Sequence, residues 1–139
     1  MTSSIDSNVF VSLWDKDANN LQARDALDHA REVGKVVVAG AVYAEMMGGV
    51  GRSAEMLDDL FLRSGIEVDW RMDRQVWTRA GTAYQQYVDR RAKRKGGPPR
   101  RMLTDFLIGA HAERYGFRLV TLDRRIYRAA FPALEVTSI

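Results

Sequence analysis

The chain predicts an α/β fold of three layers, a short parallel sheet flanked by helices, and three observations carry that prediction. Five brief apolar or β-branched runs are spread along its 139 residues, longer segments between them repeat at helical spacing, and glycines stand where a helix must end before a strand begins. The length suits one domain spanning residues 1–139, large enough to bury a core.

The elements follow in order. "SSID" (3–6) reads as the first strand. Ala23, Leu27 and Ala30 form the apolar stripe of a helix that ends at Gly34, a C-terminal cap position. "KVVVAG" (35–40) is almost continuously apolar, as a strand covered on both faces must be. "AVYAEMMGG" is a short apolar helix carrying Glu45. Gly65 closes another helix before the strand "IEVDW" (66–70). Val76, Trp77, Ala80, Tyr84, Tyr87 and Val88 mark a long helix whose basic end, "DRRAKRKGGPPRR" (89–101), runs into two prolines that forbid continuation. "LTDFLIGAHAERYG" is a helix apolar almost all round, capped by Gly116. "RLVTL" (118–122) and "LEVTS" (134–138) complete the sheet, with "RRIYR" between them starting a last helix.

Composition excludes several classes of function. Without cysteine there is no disulfide, thiolate zinc site or cysteine nucleophile, which accords with a reducing cytoplasm. The first apolar stretch is short and carries Asp6, unlike a signal peptide, and no run approaches the ~18 apolar residues of a membrane span. Net charge is +3 but lopsided: residues 1–70 hold six Lys/Arg and twelve Asp/Glu, residues 71–139 fifteen and six. That asymmetry points to a polyanionic partner.

Four acids stand in apolar contexts: Asp6 and Asp123 at strand carboxyl ends, Glu45 and Asp105 on the helices near them. Taken singly, Asp6 and Asp123 read as helix N-caps, and Asp105 gains a little from the dipole of its first turn. Glu45, between Ala44 and Met46, is out of place unless something pairs with it. Taken together, four converging carboxylates require protonation, arginine partners or a cation. A hard-oxygen set without His or Cys favours Mg²⁺ or Mn²⁺, which activates water and clamps a phosphodiester.

The ordered set "IDSNVF", "AEM" and "TDFLIGAHAERYGFRLVTLD" resembles the PIN-domain ribonucleases, and in particular the VapC toxins of bacterial toxin–antitoxin pairs, over essentially the whole chain. The resemblance implies a PIN-like fold and a Mg²⁺- or Mn²⁺-dependent endoribonuclease with Asp6, Glu45, Asp105 and Asp123 as metal-holding catalytic acids. It further implies that Asn8 orients Asp6 and that Thr121 lines the pocket. A homodimer and inhibition by a cognate VapB-like antitoxin are implied as well. The basic Gly-Pro segment 93–101 is longer and more charged than the family pattern. Lys93, Arg94, Lys95, Arg100 and Arg101 are its candidate RNA contacts, against the plainer reading of a solvated charge run.

Other residues read structurally. His29 and His111 have no partner at metal-ligand spacing and are expected to be satisfied or solvent-facing. Trp14, Met46 and Met47 suit packing or a partner groove, and the aromatic stripe on the long helix suits core or dimer contact. Gly48, Gly49 and Gly51 lack the Lys-Ser/Thr ending of a phosphate loop. Two rivals accompany the nuclease reading. One is a catalytically weak RNA-binding module of the same fold with structural carboxylates. The other is a phosphate-binding receiver-type domain, against which no lysine stands at a strand end near the acids.

Overall fold

Short β-branched runs make strands here because both of their faces are covered: Val36, Val37, Val38 and Ala39 are all buried. The structure is a computed structural model and describes residues 1–49, 51–96 and 103–137. Along it run β1 (Ser3–Ile5), α1 (Ser7–Asp15), α2 (Asn20–Val33), β2 (Val36–Ala39), α3 (Gly40–Met46) and α4 (Ala54–Ser64). β3 (Glu67–Asp69), α5 (Arg74–Lys93), α6 (Leu103–Tyr115), β4 (Arg118–Val120), α7 (Arg124–Ala130) and β5 (Val136–Thr137) follow.

The sheet order is β3-β2-β1-β4-β5, and every pairing is parallel. The chain therefore builds outward from β1 to β3, then crosses back to place β4 on the other side of β1. Right-handed crossovers send the connections of the two halves to opposite faces. The contacts agree, α1 packing on α2 while α5 packs along α6 and against α7. Between β1 and β4 lies the point where strand order reverses, and the crevice at their carboxyl ends is where open α/β sheets bind ligands. Only the inner strands are fully buried; β3 and β5, at the edges, are half-covered.

α6 has almost no polar face because it is buried on nearly every side, against α5, α7, β2 and β4. Phe106, Ile108, Ala110 and Ala112 are inaccessible to solvent, and Gly109 sits so close to Phe131 that a Cβ there would lie 2.3 Å from the ring. Tyr84 and Tyr87 of α5 pack on Phe106 with ring centroids 5.4 and 5.5 Å apart. The aromatic stripe of α5 is thus largely consumed within the chain. Trp77 is its outward member, 52% exposed. Gly65 ends α4 at φ +68°, its N–H reaching Leu62 while that of Ile66 reaches Phe61, a turn that glycine takes without a steric penalty.

His111 departs from expectation. It is completely buried rather than solvent-facing, and neither ring nitrogen is hydrogen-bonded, Nε2 lying 3.7 Å from Asp69 Oδ1. Burial pushes its pKa down, so the neutral imidazole packs as an aromatic, 5.0 Å from Tyr115. Asp69 instead takes the Arg71 guanidinium at 2.6 Å, which holds its carboxyl down at about 2. The basic segment begins inside α5, which extends to Lys93; Lys95 then adopts a left-handed φ of 53°. Arg100 and Arg101 lie outside the described residues.

Candidate active site

β1 ends at Ile5, and Asp6 takes the N-cap position of α1 with extended backbone angles, yet its side chain makes no cap hydrogen bond. It turns across the sheet instead. The carboxylate is 3% exposed, and its Oδ2 accepts from Thr121 Oγ1 at 2.8 Å and from the Tyr127 hydroxyl at 2.9 Å. Asp123 likewise holds the N-cap position of α7 without a side-chain cap bond. Capping alone therefore explains neither acid.

Thr121 is the centre of this arrangement because β4 stops at Val120, freeing the next residues to turn inward. Its Oγ1 accepts from Asn8 Nδ2 at 3.1 Å and from the Asp123 N–H at 3.0 Å. Two incoming donors use both lone pairs, so its single proton goes to Asp6. The Asn8 side chain is linked to the Asp6 carboxylate by hydrogen bonds through Thr121, and its Oδ1 also accepts from the Leu122 N–H at 3.2 Å. Thr121 itself is buried behind the pocket wall.

Glu45, on α3, is exposed rather than buried, and α3 packs against α6, the helix of Asp105. Its partner is Ser7, whose hydroxyl donates to Glu45 Oε1 and lies 3.4 Å from Asp6 Oδ1. Asp6, Glu45, Asp105 and Asp123 all line one open pocket of about 430 Å³ at the strand carboxyl ends. Asp17 lines it too, with Oδ1 accepting from Ser12 at 2.5 Å and from the Asn19 N–H at 2.8 Å. Sequence reasoning missed Asp17, Ser7 and Tyr127. Asp17 sits in a polar stretch that reads as a turn, and Tyr127 sits one helical turn after Asp123, the only hint of its direction.

Electrostatics set the character of the pocket. Burial raises the Asp6 pKa above its ordinary 3.8, and the Glu45 charge adds to the rise, outweighing the donors from Thr121 and Tyr127. Tyr127 is pushed well up by burial and by the charges of Asp6, Asp105 and Glu45, so it remains a donor. No lysine or arginine is among the described residues that line the pocket. Its donors are carboxylate, amide and hydroxyl oxygens, the set a hard divalent cation prefers. Among the described residues, no three acids converge into a ready cage. An ion that keeps several waters and takes few carboxylates, as Mg²⁺ does, is the kind these residues fit.

Lys93 and Lys95 are exposed at the end of α5. Arg94 faces a separate pocket beside α7, in company with Arg125.

Comparison with known proteins places this geometry in a family context. The family model described as "PIN domain" matches residues 4–132. No curated protein sequence matches the chain. Among solved structures, VapBC2 from Rickettsia felis bound to a promoter DNA fragment superposes with a TM-score of 0.69 at 21% identity, covering 99% of this chain and 98% of that one. VapBC-1 from nontypeable Haemophilus influenzae gives 0.68 at 16% identity, covering 99% and 98%. FitAcB from Neisseria gonorrhoeae gives 0.64 at 19% identity, covering 98% and 96%. At these identities the likeness is one of fold.

Proposed function

The chain belongs to the PIN-domain family, and from that premise we propose that it is a metal-dependent endoribonuclease toxin held in check by a cognate antitoxin. One observation carries the reading: five carboxylates, Asp6, Asp17, Glu45, Asp105 and Asp123, open on a single pocket, and Asp6 is kept there although burial and a neighbouring charge oppose its ionisation. Keeping an acid so placed is costly unless a cation offsets it.

Asp6, Glu45, Asp105 and Asp123 would hold Mg²⁺ or Mn²⁺. The bound ion supplies an activated water and neutralises charge developing on the phosphodiester. The chain's own residues do the rest. Thr121 and Tyr127 fix the Asp6 carboxylate from behind, leaving its other oxygen toward Ser7 and the pocket. Asn8 ties the turn after β4 to α1. Ser7 donates its one proton to Glu45 and lies 3.4 Å from Asp6, which ties α3 to the start of α1 beside the first acid.

The toxin–antitoxin assignment is supported by the neighbours, several of which are VapBC complexes. An apolar groove of about 150 Å³ lined by Phe10, Leu13, Trp14, Leu27 and Leu60 offers an antitoxin segment an anchor. Exposed Trp77 and Trp70 offer apolar surface to a second copy in a homodimer. Among the described residues no helix is long and apolar enough to cross a membrane.

The test is cleavage of labelled RNA by the purified protein with Mg²⁺ or Mn²⁺, abolished by EDTA. Asp6→Asn, Glu45→Gln, Asp105→Asn and Asp123→Asn should each lower the rate by about 10²–10³-fold, the scale of losing one preorganised electrostatic group. RNA binding without cleavage by the parent would favour an RNA-binding module with structural carboxylates. Full activity in all four variants would remove the site.

A further inference from the structure

We propose that the pocket lined by Arg90, Arg91 and Arg94 of α5 and Arg125 of α7 is a phosphate subsite that grips the nucleic-acid backbone beside the acid pocket. The proposal rests on the nuclease reading for its substrate, but its own support is geometric. The cavity is about 380 Å³, and no carboxylate is among the described residues that line it. Arginine cannot shed its proton, so a cavity with four guanidinium groups on its wall is a positively charged place that favours an anion. Arginine also offers the planar fork that takes phosphate oxygens in pairs.

The position gives the pocket its meaning. Ile126 lines both this cavity and the acid pocket, so the two are neighbours across one side chain. Helical spacing sorts α7 and its N-cap between them: Asp123 and Tyr127, four apart, line the acid pocket, while Arg125 and Ala129, also four apart, line the arginine cavity. A strand laid over α7 would set one phosphate at the acids and a neighbouring one among the arginines. Arg91 also donates to the Gly96 carbonyl, and both residues line the cavity. Arg90, Arg94 and Arg125 are the residues to test. Arg125 comes from a part of the chain far from the basic Gly-Pro segment, and only the fold brings it there.

The experiment measures anisotropy of a labelled single-stranded oligoribonucleotide in EDTA, so that binding is read apart from cleavage. The triple variant Arg90→Gln, Arg94→Gln, Arg125→Gln should lose at least tenfold in affinity. It should also flatten the salt slope by about 2, at roughly 0.7 per phosphate contact on a single strand. A control triple of equal net charge, Arg24→Gln, Arg31→Gln, Arg63→Gln on α2 and α4, should lose under twofold. Arg125→Glu alone, at an exposed position, should weaken binding more than threefold with an unchanged thermal midpoint, which separates the effect from misfolding.

Equal losses in the two triples would reduce the effect to net charge and overturn the subsite. Unchanged RNA binding with lost binding of a glutamate-rich peptide would overturn it in favour of an acidic polypeptide. Inorganic phosphate that stabilises the parent, but not the pocket triple, as strongly as the oligonucleotide does would assign the pocket to free phosphate instead. A parent that never cleaves RNA with Mn²⁺, but whose binding falls selectively in the pocket triple, would sink the nuclease reading and leave the subsite standing. Metal-dependent cleavage with no change in affinity or KM in the pocket triple would do the reverse.

Discussion

Thr121 spends one proton and two lone pairs on three partners, and each can be removed separately. Thr121→Val keeps the shape, deletes the donor to Asp6 and strands the Asn8 amide and the Asp123 N–H. We expect about 1–3 kcal/mol of lost stability from the stranded donors. Cleavage or metal affinity should fall about 10–100-fold, the usual cost of losing a group that orients a metal ligand. Thr121→Ser should restore both, and kinetics with a denaturant titration check it. Asp6 gives a pH prediction. Its folded pKa lies above the ordinary 3.8, so its contribution to stability is fully present below that value and is lost as pH rises through the folded pKa. In EDTA at neutral pH, Asp6→Asn should therefore melt above the parent, the gap closing as pH falls toward 4. Mn²⁺ should raise the parent and not the variant; a parent that outmelts Asp6→Asn in EDTA would contradict the burial argument. Asp69 has the opposite sign. Held at about 2 by Arg71, it stabilises the fold above its ordinary 3.8 and loses that contribution as pH falls through 2, so Asp69→Asn should flatten the acid limb of the melting curve. At this scale the acids were legible because carboxylates are conspicuous in apolar runs. Thr121 was legible only as a pocket residue, and Ser7 and Tyr127 not at all, since a serine after an aspartate and a tyrosine in an arginine-rich helix look ordinary until the backbone turns them inward.

Among elements, α6 is the most constrained. Its Gly109 faces Phe131, itself 1% exposed and covered by the Arg79 guanidinium 4.8 Å from its ring centroid. Alanine improves helix propensity by about 1 kcal/mol. Here its Cβ would meet a ring with little room to retreat, and overpacking of that kind costs about 1–3 kcal/mol. Gly109→Ala should come out net destabilising by urea titration; a gain in stability would show that Phe131 can move. The inner strands and α6 could be read from sequence because burial on all sides leaves continuous apolar runs. The outward turn of Trp77 could not, because the same helical spacing serves a core stripe and an exposed residue at its border. His111 escaped for a related reason: its polar neighbour, Asp69 at 3.7 Å, comes from a distant strand and leaves no spacing in the sequence to announce it.

For the whole molecule, the reversal of strand order between β1 and β4 converts scattered acids into a pocket. Periodicity predicts the strands but not their order, so the convergence of Asp6 with Asp123 rested on resemblance until the sheet supplied it. The opposite net charges of the two chain halves prove interleaved, arginines from the basic half standing next to acids from both. A divalent cation that binds only the folded state should stabilise the whole domain by about 2.7 kcal/mol at a hundredfold excess over its Kd. A melting midpoint that ignores saturating Mn²⁺ would mean that the pocket holds no ion.

The same strand order has a consequence in time. β1 is the first strand made, yet it is central, and its neighbour β4 follows only after α6. Asp6 waits for Thr121, 115 residues downstream, and for Tyr127, 121 residues downstream. Contacts so distant in sequence form late, because a long loop must close before they are made. During synthesis at about 5–20 residues per second, the growing chain therefore spends seconds with its first acid and no pocket around it. Under the proposed nuclease reading, a chain able to cut RNA while still attached to its own message would be self-defeating; this topology leaves Asp6 without Thr121 and Tyr127 until the C-terminal segments have been made.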